Sequence, residues 1–104
     1  MNWTKLPISS AQLEVFCRKW RVRELSLFGS VLREDFAPES DVDVLVSFAE
    51  DATWSLWDLI AMRDELTEVM GRPVDLVEKE GLRNPFRRQR ILETRKVIYT
   101  RPEG

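Results

Sequence analysis

The sequence predicts an α+β fold in which a small mixed β-sheet is flanked by helices. Three observations lead there. Helical hydrophobic spacing alternates with short period-two stretches along the chain. The 104 residues suit one domain, read as 1–104, with a real but modest core. Hydrophobic residues make up 43% and charged residues 33%, the ordinary balance of a globular protein.

Each element has its own signal. Ser9 and Gln12 form a capping box, and Leu13, Phe16, Cys17 and Trp20 then recur at helical spacing, predicting a helix over 10–20. Arg23, Leu25 and Leu27-Phe28 read as a strand that stops at Gly29. Ser30 caps a short helix, 31–36, which must end before Pro38. Val42 to Phe48 alternates as a second strand, with Val42, Val44 and Val46 on one face and Asp43, Leu45 and Ser47 on the other. Ser55 with Asp58 opens the longest helix, which runs to Met70 on a stripe of Trp57, Ile60, Ala61, Leu66, Val69 and Met70. Gly71 and Pro73 stop it. Val74 to Glu78 is a third strand, Pro85 to Thr94 a last helix, and Val97-Ile98-Tyr99 a short closing strand.

Composition removes several function classes. The chain has no histidine, so His-based triads and zinc–histidine sites are excluded. One cysteine, Cys17, leaves no internal disulfide and fits a reducing, cytoplasmic setting. No apolar run is long enough to span a bilayer, so no membrane is expected as a partner. A formal charge of −2 gives no global attraction to nucleic acid, which is disfavoured as a partner. Catalysis must then rest on carboxylates, backbone N–H groups, hydroxyls, Arg or Lys, or a metal.

Three carboxylates stand where strands would place them. Asp41 and Asp43 are two apart and leave the same face of the second strand. Asp75 begins a third strand that can lie beside the second. Converging carboxylates repel unless cations sit between them, and Mg²⁺ is the natural ion for oxygen ligands, water and phosphate. Two such ions can hold the attacking and leaving oxygens of an in-line phosphoryl displacement. Gly29-Ser30 follows a strand and opens a helix, so its N–H groups and the Ser30 hydroxyl can face a nucleotide's phosphates. Gly29 has no side chain to hold the phosphate away. Taken singly, each feature is more often structural; the combination carries the reading.

That combination resembles a known family. Leu27-Phe28-Gly29-Ser30-Val31-Leu32-Arg33-Glu34-Asp35, followed by Ser40-Asp41-Val42-Asp43-Val44-Leu45-Val46, is similar to the signature of the minimal nucleotidyltransferases (MNT) of the DNA polymerase β-like superfamily. The resemblance implies a polymerase β palm-like nucleotidyltransferase fold. It implies that Asp41, Asp43 and Asp75 hold two Mg²⁺ ions, with Asp75 helping to deprotonate the attacking hydroxyl. It implies that Gly29 and Ser30 bind the phosphates of ATP. Arg33 matches an arginine common in that helix; it reaches phosphate, or it pairs with Asp35 or Glu39. Family members of this size are often antitoxins to a HEPN-domain toxin, transferring AMP from ATP to a toxin tyrosine within a hetero-oligomer. The alternatives are an antitoxin that neutralises by binding alone, and a nucleotidyltransferase acting on a small molecule or nucleic acid with a separate substrate-binding subunit.

Other features take blander readings. The basic C-terminal third, Arg83 to Arg101, reads as a solvated helix face, or else as a contact for an acidic partner or for phosphates. Trp57 is assigned to the core, and Trp54 to a staple or an exposed anchor. Cys17 reads as inert core and Tyr99 as an aromatic of the closing strand.

Overall fold

The computed structural model describes residues 9–29 and 41–102. Helix α1 (Ser10–Lys19) leads into strand β1 (Val22–Phe28). Strand β2 (Val42–Phe48), helix α2 (Leu56–Met70) and strand β3 (Val74–Glu78) follow. A 3-10 turn at Lys79–Gly81, helix α3 (Pro85–Thr94) and strand β4 (Lys96–Thr100) complete the order. The 3-10 turn was not expected from the sequence, and the expected helix 31–36 lies outside the described residues.

The sheet order is β3-β2-β1-β4, with β1 antiparallel to both β2 and β4 and β2 parallel to β3. The parallel pair is joined by α2, as a parallel connection requires. Local chemistry sets the ends of that crossover. Ser55 and Asp58 exchange reciprocal hydrogen bonds at the start of α2, and Gly71 closes it in a left-handed conformation, φ 72°. The Thr67 hydroxyl accepts the N–H of Val74, and the N–H of Val42 donates to the Pro73 carbonyl at 2.9 Å, which ties the start of β2 to the chain entering β3.

Alternation along the strands divides the interior in two. Leu25, Leu27, Val42, Val44 and Val46 face α1 and α2, packing on Leu13, Phe16, Cys17, Met62, Leu66 and Met70. Phe28 and Leu45 face the other way, against Leu82 and Ile91. Asp43, two residues before Leu45, therefore belongs to the α3 side of the sheet.

The expected stripe of α2 needs correction. Met62 is fully buried and Leu59 packs on the core, whereas Trp57 is 78% exposed. Buried Leu66 lies nine positions after Trp57, which is about two and a half helical turns, so the two side chains leave opposite faces. Trp54 takes the inner place instead. Its indole meets Trp20 edge-on at 5.3 Å, lies 6.4 Å from Phe48, and donates Nε1–H to the Trp20 carbonyl. Among the described residues, no helix is long and apolar enough to cross a membrane.

Candidate active site

The register of β2 and β3 decides the site. Asp43 lies directly opposite Asp75 in the parallel pair, and opposite Phe28 in the antiparallel pair. Asp41 immediately precedes β2, two residues from Asp43, and both Asp41 and Asp75 are exposed. Three carboxylates thus gather at one end of the sheet, where β1 ends and where β2 and β3 begin. Their proximity is legible in the acidity of Asp43. Partial burial raises its carboxyl above the usual range, and the negative charges of Asp75 and Asp41 raise it further. Arg87 of α3 opposes them.

Gly29 completes the corner. Its φ is +74°, and a Cβ built there would fall 2.2 Å from Oδ2 of Asp43. The space that a side chain would fill is therefore occupied by the carboxylate itself. Ser30 and Arg33, the other expected nucleotide contacts, lie outside the described residues.

These residues fit a divalent metal. The donors are all oxygens, which hard ions prefer, and the like charges around Asp43 are what a cation would relieve. Among the described residues, no three acidic side chains are drawn close enough to cage an ion without other ligands. Mg²⁺ does not require a protein cage, because it keeps water and takes phosphate oxygens from its substrate.

Arg87, expected only as one member of the basic C-terminal stretch, takes a specific place here beside Asp43. It sits one turn before Ile91, whose side chain packs on Phe28 and Leu45. The same helical stripe therefore carries Arg87 over the sheet beside Asp43. Asn84 fixes the start of that helix by accepting the N–H groups of Phe86 and Arg87. The signal available in the sequence was the four-residue step from Arg87 to Ile91 behind an Asn-Pro start.

A mixed sheet that sets a Gly turn against paired aspartates on adjacent strands defines a class of protein, the nucleotidyltransferases. The chain belongs to the nucleotidyltransferase domain family, whose pattern it matches over residues 9–98. It is 34% identical over 92 residues to the protein adenylyltransferase MntA of Thermococcus cleftensis, covering 88% of either chain. Its fold is similar to that of a toxin–antitoxin crystal structure with AMP-PNP, with a TM-score of 0.72 at 19% identity, covering 90% of this chain and 75% of that one. It is also similar to the structure of a tri-AMPylated Shewanella oneidensis HEPN toxin in complex with its MNT antitoxin. There the TM-score is 0.62 at 18% identity, over 88% of this chain and 69% of that one. At these identities the two structures speak to fold.

Proposed function

We propose that this chain is a Mg²⁺-dependent protein adenylyltransferase that transfers AMP from ATP to a tyrosine hydroxyl of a HEPN-domain partner and so acts as its antitoxin. The observation that carries the reading is the pairing of Asp43 with Asp75 across β2 and β3, with Asp41 two residues away and Gly29 against the Asp43 carboxylate. Support comes also from the adenylyltransferase relative and from the fold shared with an antitoxin bound to an AMPylated toxin.

In this reading Asp41, Asp43 and Asp75 hold the metal, which when bound neutralises charge on the phosphates and orients the attacking and leaving oxygens. Gly29, Ser30 and Arg33 receive the phosphate tail, where backbone N–H groups and a guanidinium match its charge. Asp75 is exposed at the mouth of the site and accepts the proton of the acceptor hydroxyl. The acceptor oxygen forms a bond to the α-phosphorus, the bond from that phosphorus to the β-phosphate bridge breaks, and pyrophosphate leaves with the electron pair.

The test is intact-mass spectrometry of the HEPN protein encoded beside this chain, after incubation with the chain, ATP and Mg²⁺. The toxin should gain one or more AMP groups on tyrosine. The Asp41→Asn, Asp43→Asn double variant should leave its mass unchanged and its toxicity intact. Full neutralisation by that variant would point instead to occlusion without chemistry.

A further inference from the structure

We propose that the outer face of α3, centred on Phe86, is the docking surface for an acidic segment of the protein that accepts the nucleotide. This rests on the adenylyltransferase reading above and names the chemistry of its acceptor. From Leu82 to Leu92 the chain carries four arginines and no acidic residue, in a protein whose formal net charge is −2. Arg88 is satisfied internally, donating to the Lys79 carbonyl at 2.9 Å. Arg83, Arg87 and Arg90 are exposed and form no ion pair among the described residues. Other arginines behave differently: Arg18 pairs with Glu14, Arg21 with Asp51, Arg23 with Glu80, Arg63 with Asp64 and Arg95 with Glu24. Arg83 and Arg90, like Lys96 and Arg101, have no ion pair among the described residues, and Arg83 and Arg90 flank Phe86, while Arg87 is turned towards the charge of Asp43.

Phe86 is 84% exposed at the centre of that unmatched charge. It is held there by a rigid start to the helix, with Asn84 as cap and Pro85 in the first turn. Ile91 anchors the inner side of α3 in the core, and Leu92 packs beside it, so the outer face is free of the sheet. An aromatic anchor ringed by arginines has the composition of a protein-interface hot spot. Single-stranded nucleic acid would ask for successive stacking aromatics, and α3 offers one. The patch also borders the carboxylates through Arg87, which is where an acceptor hydroxyl must be delivered. Acidic residues flanking that hydroxyl would find Arg83 and Arg90 on either side of Phe86.

The experiment measures binding separately from transfer. A fluorescein-labelled random Glu/Tyr copolymer is titrated with the chain and followed by anisotropy, with Lys/Tyr copolymer and single-stranded RNA of matched length as competitors. The wild type should bind the Glu/Tyr copolymer in preference to both. The Asp41→Asn, Asp43→Asn variant, which cannot transfer, should bind at least as tightly. Arg83→Glu with Arg90→Glu should weaken binding about tenfold or more, and Phe86→Ser should weaken it even at high salt, whereas Arg18→Glu with Arg63→Glu should not. Equal binding after reversal of Arg83 and Arg90, no binding by the wild type, or stronger competition by the RNA would overturn the proposal. Binding as described without AMP transfer to any protein would count against the adenylyltransferase reading and leave the surface standing.

Discussion

At Gly29 two demands meet in one residue. The backbone takes a left-handed φ, and the missing Cβ makes room for the Asp43 carboxylate. Gly29→Ala should therefore cost about 1 kcal/mol in conformation alone and should also push Asp43 aside. Thermal unfolding should show a lower midpoint, and AMP transfer should fall far more than that loss of stability explains. An alanine variant with undiminished transfer would show that the close approach has no part in the chemistry. Cys17 illustrates the opposite case, a reactive residue type made inert. Burial pushes its thiol up to about 12 from an ordinary 9.0. Native protein should resist iodoacetamide at pH 8 and react once unfolded. Because the folded state holds the Cys17 proton longer, this group leaves stability untouched below about pH 9 and lowers it as pH climbs from 9 towards 12.

At the scale of elements, strong local signals read true. β2, β3 and α3 fall where the sequence pattern expects them, Val42–Phe48, Val74–Glu78 and Pro85–Thr94. The capping box of α2 was likewise visible, and Ser55→Ala should lower stability by about 1 kcal/mol, measured by urea unfolding, with no change in fold. What escaped the sequence was rotational phase and register. An apolar residue near the start of α2 fits several faces, and Trp57 went to the wrong one because a single tryptophan does not fix a helix's orientation. Trp54 found its place through partners distant in sequence, Trp20 and Phe48. The facing of Asp43 and Asp75 depends on parallel register, which no local pattern encodes. The position of Arg87 depends on how α3 crosses the sheet. The aspartates and their convergence on neighbouring strands were legible as expectations; the direct facing of Asp43 and Asp75 was a property of the fold.

For the molecule as a whole, the carboxylates sit at one end of the sheet and the unmatched arginines lie beside them on α3. In the proposed function this corner serves phosphate and metal chemistry at the expense of stability. Without a cation, Asp43 is crowded by Asp75 and Asp41. Asp43→Asn should therefore unfold at a higher temperature than wild type in EDTA while losing transfer, the usual exchange of stability for function at such sites. Mg²⁺ with a non-hydrolysable ATP should raise the midpoint of the wild type and leave the variant unmoved, since only a ligand of the folded state stabilises it.

In the proposed function Asp41, Asp43 and Asp75 together bind divalent metal with the nucleotide. Manganese titration followed by electron paramagnetic resonance, in the presence of non-hydrolysable ATP, tests it most directly. Wild type should withdraw more Mn²⁺ from solution than the nucleotide alone does, and the excess should vanish in Asp41→Asn with Asp43→Asn and shrink in Asp75→Asn. The same excess in all three proteins would show that these carboxylates do not bind the metal.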